Sequence, residues 1–122
     1  MVETHAVGAA FVTGYTFSSD FPTTPGAFDA EYAGENARDA FVTKLAPDGS
    51  APVFSTYLGG SSEDEAVDIG LDQNGDVCVG GLTQALDFPT TPGVVNRALS
   101  GAFVTKLSDD GTSLLASTFV GN

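Results

Sequence analysis

The sequence predicts an all-β chain built from two copies of one four-stranded antiparallel unit. Three observations carry that prediction. Apolar residues recur at a period of two, as Val67, Ile69 and Leu71 do against Asp68 and Gly70, and no segment keeps the 3.6-residue period of a helix. The 15 Gly and 6 Pro punctuate the chain at short intervals, which suits strands joined by turns. A heptapeptide, Asp20-Phe21-Pro22-Thr23-Thr24-Pro25-Gly26, returns letter for letter as Asp87-Phe88-Pro89-Thr90-Thr91-Pro92-Gly93.

The two copies align over most of their length. The heptapeptide recurs at an offset of 67 residues, whereas Ala40-Phe41-Val42-Thr43-Lys44-Leu45 recurs as Ala102-Phe103-Val104-Thr105-Lys106-Leu107 at an offset of 62. The five-residue difference falls between the blocks, in residues 27–39 against 94–101, as expected of a surface loop. Residues 2–60 form the first copy and 61–122 the second, together one structural unit. The first copy opens at Val2, partway into its first strand, and the counterpart of Glu63 to Asp68 is missing from it. An incomplete strand leaves an edge that another chain is expected to fill.

The complete second copy gives the elements in order. Residues 66–71 alternate as a strand. Gln73-Asn74-Gly75-Asp76 follows, and Asn-Gly between two apolar runs predicts a tight hairpin with both residues at positive φ. Residues 77–83 are the second strand, and a long connection carrying the heptapeptide leads to the third, 102–107. Ser108-Asp109-Asp110-Gly111-Thr112, matched by Ala46-Pro47-Asp48-Gly49-Ser50, predicts a turn with Gly in the left-handed position. Residues 113–120 are the last strand.

Four short antiparallel strands repeated at about sixty residues is the pattern of a β-propeller blade. Runs such as Val77-Cys78-Val79, Phe41-Val42 and Val53-Phe54 are apolar on both faces, as a sheet packed between two neighbours requires. An eight-stranded sandwich, the alternative, would present one polar face per strand. A closed propeller needs about four blades or more. Two blades, the first lacking most of its first strand, do not close within one chain, so a longer chain, a ring of copies or an open fibre is expected to complete them.

Composition narrows the function classes. Asp+Glu number 16 against Lys+Arg 4, a formal net charge of -12, and the basic residues Arg38, Lys44, Arg97 and Lys106 are scattered. No patch exists to neutralise a row of phosphates or to dock on anionic lipid, so neither nucleic acid nor membrane insertion is expected. With 9 Phe, 3 Tyr and 42% hydrophobic residues the chain is not a disordered acidic tail. The 1 Cys, Cys78, sits in an apolar run and has no intrachain partner; the 1 His, His5, stands alone, so zinc is excluded. The N-terminus lacks the basic and apolar regions of a signal peptide.

Candidate sites follow from loops and edges. In an up-and-down blade the heptapeptide loops share one side with the acidic link 61–65, which makes Phe21, Thr23, Thr24, Phe88, Thr90 and Thr91 a possible binding face for a glycan or a protein. The structural alternative has Phe21 and Phe88 plug the blade while Pro fixes the loop, and identical wording in both copies favours it. Glu63, Asp64 and Glu65 with Asp68 invite a paired-carboxylate reading, but an exposed acidic link has nothing to separate the pKa values of two carboxyls. A solvated loop is expected there. Asp72, Asn74 and Asp76 place oxygen ligands at alternate positions, as in the first half of a calcium loop, yet Leu82, Thr83 and Gln84 stand where the completing Glu belongs. Calcium is thus a weak candidate and a plain turn the stronger one; no other cofactor is expected. No imidazole lies near a nucleophile and no Gly-x-Ser-x-Gly elbow occurs, so no catalytic residue is assigned. The possible subunit interface comprises Val2, Thr4 and His5 at the open end, and Leu114, Leu115, Ser117 and Phe119 of the last strand.

Ala40 to Leu45, Pro47-Asp48-Gly49-Ser50, Phe54-Ser55-Thr56-Tyr57-Leu58-Gly59-Gly60, Asp72 to Asp76 and the heptapeptide together resemble the SBBP β-propeller repeat, a tandem repeat of bacterial and archaeal surface or secreted proteins. The resemblance covers nearly the whole chain. It implies a four-stranded blade, an extracellular or cell-surface setting and no catalytic residues. Two departures stand out: Val120-Gly121-Asn122 replaces Leu58-Gly59-Gly60, and Cys78 replaces Phe11.

The reading is a non-enzymatic, self-assembling structural protein, a homo-oligomer or polymer, with a lectin-like or adhesive module as the alternative. Assembly multiplies the charge of -12, so it is expected to tighten with added salt or divalent cation. Light scattering across an ionic-strength series checks this: particle mass should rise with salt, and a mass indifferent to salt would show the repulsion to be negligible.

Overall fold

A computed structural model describes residues 2–4, 8–32, 36–92 and 101–120, with Glu3 and Thr4 placed by their backbone alone. The chain is all-β. Among the described residues there is no helix, and so none long and apolar enough to cross a membrane. Among the described residues eight strands form two antiparallel sheets in simple meander order. The first sheet is β1 (Val2–Thr4), β2 (Ala10–Thr16), β3 (Asp39–Leu45) and β4 (Pro52–Leu58); the second is β5 (Asp64–Leu71), β6 (Val77–Thr83), β7 (Gly101–Leu107) and β8 (Leu114–Val120).

Register repeats with the sequence. Val42 pairs with Thr13 and Thr56 in the first sheet as Val104 pairs with Gly80 and Thr118 in the second. Each sheet carries a bulge where its last strand begins, at Lys44/Leu45 and at Lys106/Leu107, which leaves Val53 and Leu115 as extra, exposed residues. A third bulge, between Ala66 and Asp68, departs from the expected alternation. It turns Val67 out to solvent, so that Ala66 and Ile69, rather than Val67 and Ile69, point into the core.

The Asn-Gly turn also differs from expectation. Gly75 has φ 83°, but Asn74 is not at positive φ. The Asp72 carboxylate explains the difference: its Oδ1 accepts the Asn74 and Asp76 N–H groups at 2.9 and 3.0 Å, closing an Asx turn that keeps Asn74 out of the left-handed region.

Period-two alternation gives each sheet a front and a back. In the first sheet the front carries Phe11, Ala40, Val42, Phe54, Thr56 and Leu58; the back carries Val12, Phe41, Thr43, Leu45, Ser55 and Tyr57. In the second sheet the equivalent back residues are Val79, Phe103, Thr105, Leu107, Ser117 and Phe119. The core lies between the front of the first sheet and the back of the second. Phe11, Val42, Phe54 and Leu58 join Ile69, Val79, Phe103, Leu107 and Phe119 in one buried cluster. Non-equivalent faces therefore meet. Strand β5 lies across β2 and its neighbours, and the Phe28 N–H donates to the Gly111 carbonyl at 2.8 Å across the same junction.

Gly111 shows how close the approach is. It adopts φ 73° in the β7–β8 turn, and a Cβ there would overlap the Phe54 ring of the first sheet. Its counterpart Gly49 has the same φ with nothing within 4 Å. Gly49→Ala should therefore cost only the left-handed penalty, about 1 kcal/mol, whereas Gly111→Ala adds an overpacking cost and should lose about 3 kcal/mol in total. Urea unfolding of both variants checks this; equal losses would mean that the Gly111–Phe54 contact does not constrain the fold.

Candidate functional site

The repeated heptapeptide is built into each sheet. Phe21 rests on Phe41 with ring centroids 4.4 Å apart, and Phe88 rests on Phe103 at 4.2 Å. Thr24 then runs beside β4: its N–H donates to the Ser55 carbonyl at 3.0 Å, and its Oγ1 accepts the Ser55 N–H at 2.9 Å. Thr91 does the same to Ser117 at 3.0 and 3.0 Å. The serine hydroxyls complete the network, donating to the carbonyls of Pro22 and Pro89 at 2.7 Å each and lying 2.8 Å from the hydroxyls of Thr43 and Thr105. The motif thus satisfies the outward N–H and carbonyl of Ser55 and of Ser117, midway along the last strand of each sheet, with its own backbone and threonine. An edge so covered is poorly placed to recruit another strand. Thr23 and Thr90 are half-buried, and their hydroxyls are not part of this repeated network.

The acidic link forms the polar seam between the sheets. Asp64 is buried at the start of β5: its Oδ1 accepts the Thr83 hydroxyl at 2.6 Å and its Oδ2 the Gly60 N–H at 2.9 Å. Its own N–H donates to the Arg38 carbonyl at 2.8 Å, tying the second sheet to the first. Glu63 and Glu65 turn to Arg38, whose Nη1 lies 2.8 Å from Glu65 and whose Nε lies 3.6 Å from Glu63; the Arg38 N–H also donates to Glu63. The guanidinium is further held over the Tyr15 ring, 4.9 Å from its centroid. A cleft of about 250 Å³ opens here, lined by Arg38, Glu63, Glu65, Leu82, Thr83 and Gln84. Asp68 stands apart on β5, exposed, with its carboxylate accepting the Ile69 N–H. The four acidic residues therefore face three different settings.

Glycine makes this seam possible. A Cβ on Gly59 would collide with the Asp64 carboxylate, and one on Gly60 with that of Asp87, which accepts the Ser61 N–H at 2.9 Å. Burial pushes the Asp64 carboxyl up to about 6, against the opposing pull of the Thr83 and Gly60 hydrogen bonds; the nearby charges of Asp39 and Asp87 push the same way as burial.

The remaining candidates are dispersed. Asp72 is held below its ordinary carboxylate value, chiefly by its hydrogen bond to Lys106, 2.6 Å from Oδ2. Asp76 Oδ1 accepts the Asp109 N–H at 3.0 Å. Among the described residues no group of three or more metal-ligating side chains gathers. Val2 is exposed on β1 and Thr4 is placed only by its backbone pairing with Ala10; His5 lies outside the described residues. Leu114 is half-buried and Leu115 exposed at the bulge, whereas Ser117 and Phe119 are buried within the chain.

Sequence reasoning missed the most distinctive surface. The front of the second sheet, equivalent to the buried front of the first, is open. Val42 is 0% exposed and its counterpart Val104 is 50%; Leu58 is 0% and its counterpart Val120 is 49%. Leu82 and Cys78 share this face. The back of the first sheet is the complementary case: Thr43 and Leu45 are half-buried where Thr105 and Leu107 are wholly buried. The two-faced apolar runs were the available signal, but which face a neighbour covers is a tertiary fact. No family model matches the chain, and no curated protein matches it.

Titration of Asp64 gives a test of the seam. A carboxyl raised in the folded state stabilises the fold fully below its unfolded value near 3.8 and loses that contribution as pH rises through about 6. The melting temperature of the wild-type chain, measured against that of Asp64→Asn, should therefore fall between pH 4.5 and pH 7. Parallel melting curves for the two proteins would show that the buried carboxyl does not titrate in this window.

Proposed function

We propose that this chain is a non-enzymatic structural module whose two sheets are propeller-type blades and which self-associates into a ring or a filament. One observation carries the reading. The front of the first sheet is covered by the back of the second, while the same front on the second sheet is open and the same back on the first is left half-buried at Thr43 and Leu45. A two-sheet sandwich related by a two-fold would bring equivalent faces together and leave polar surfaces outside. Contact between non-equivalent faces is a head-to-tail relation, which does not terminate by itself. Exposed apolar faces of this kind mark interaction surfaces.

The motifs shared with the SBBP repeat support an extracellular or cell-surface setting for the assembly. The heptapeptide fits a structural role in it: Phe21, Phe88, Thr24 and Thr91 spend their rings and hydroxyls on their own sheets. The reading requires no metal or cofactor, and the acidic seam serves to lock one blade on the next.

Sedimentation velocity over a concentration series tests the proposal. Species at multiples of 12.4 kDa that grow with concentration are expected, with rings or filaments in negative-stain images of the same samples. A single 12.4 kDa species at every concentration would overturn self-association.

A further inference from the structure

We infer that the partner of the open front of the second sheet is the back of the first sheet on a second copy of this chain, docked as the two sheets dock within one chain. The inference rests on the self-association proposed above and specifies the surfaces that carry it. Three observations select this occupant. The intrachain junction already shows a front of this repeat seated on a back of this repeat. The two backs are nearly the same surface, since Phe41, Thr43, Leu45 and Ser55 recur as Phe103, Thr105, Leu107 and Ser117. The free back also keeps an apolar hollow of about 180 Å³, lined by Phe21, Pro22, Thr43, Leu45, Pro52 and Ser55. Its counterparts of Thr43 and Leu45 in the second sheet are wholly buried beneath the first.

The strand edges are weaker candidates. The outer edge of β8 is satisfied at Ser117 by Thr91, as that of β4 is at Ser55 by Thr24. Faces, not edges, carry the unspent apolar area.

The two fronts differ in one respect that sets the strength of the contact. Phe11 and Phe54, packed edge to face at 6.4 Å in the first sheet, are replaced by Cys78 and Ala116 in the second. A hollow of about 260 Å³ opens on this face beside Cys78, Gly80 and Val104. The interchain contact is therefore a thinned version of the intrachain one, reversible where the latter is permanent.

Complementation between two variants tests the pairing. Val104→Glu spoils the free front and Leu45→Glu the free back; each alone should weaken association by about tenfold or more. Mixed, they retain one good front and one good back, and should form a dimer that grows no further. The double variant Cys78→Phe/Ala116→Phe restores the two rings and should tighten association by at least about tenfold. Melting curves verify that each variant folds. Association of Val104→Glu at the wild-type level, failure of the two variants to pair, or no tightening by the restored rings would each overturn the inference. Loss of association on Leu115→Glu, with none on Val104→Glu, would assign the contact to the strand edge instead. If the wild-type chain stays monomeric but the ring-restored variant associates, self-association of the natural chain fails while the face pairing stands; if neither associates, both fail.

Discussion

A sheet whose strands are apolar on both faces cannot stand alone in water, and that constraint organises this molecule. Each four-stranded unit exposes a front and a back that need cover. One chain supplies two units, so one front and one back are satisfied against each other and one of each is left over. Burying a side chain the size of Val or Leu contributes about 1.5–3 kcal/mol. Val42 and Leu58 make that contribution, whereas Val104 and Val120, at the same places in the repeat, leave about half of theirs unused. For Val42 and Val104, which are the same residue, the asymmetry belongs to the arrangement.

The rest of the structure protects or fixes that stacking. The heptapeptide loop occupies the outer edge of each sheet at Ser55 and Ser117, which blunts pairing by another strand there. Its repeated Thr–Ser–Pro network explains why the wording is identical in the two copies: the loop must return the chain to the same register beside the last strand. Beside the second heptapeptide, whose Asp87 accepts the Ser61 N–H, the seam of Arg38, Glu63, Asp64 and Glu65 fixes how one unit follows the next. Gly59 admits the buried Asp64 carboxylate, and Gly60 the exposed one of Asp87, where a Cβ would collide with each. The acidic residues of the tight turns, Asp48 and Asp110, face solvent and hold their neighbouring Ser and Thr groups.

The strands and their order were legible in the sequence because alternation, turn residues and internal repetition all pointed to the same elements. Residues 77–83 coincide with β6, and the expected third and last strands lie within a residue of β7 and β8. Three features were hidden for physical reasons. The bulge at Val67 breaks the period that the sequence seemed to keep, because pairing to Gly80 and Gly81 skips a residue. That Asn74 is not at positive φ depends on a carboxylate two residues earlier, which overrides the usual Asn-Gly preference. The buried Asp64 sits in a run of four acidic letters interrupted only by Ala66 and Val67, and nothing in that string tells which carboxylate turns inward. Likewise Cys78 and Phe11 align as a simple replacement, and that one stands on an open front and the other on a closed one is decided only when the sheets are stacked.

The most direct test of the central claim is an experimental structure of the assembled particle, by electron cryomicroscopy or crystallography, compared at the level of sheet pairs. The account predicts that β5–β8 of one copy and β1–β4 of the next superpose on the β1–β4 and β5–β8 pair within a chain, with Val104 facing Leu45 of the neighbour across the junction. Copies joined through hydrogen bonds between β8 and a neighbour's strand, with both apolar faces still open to solvent, would contradict it.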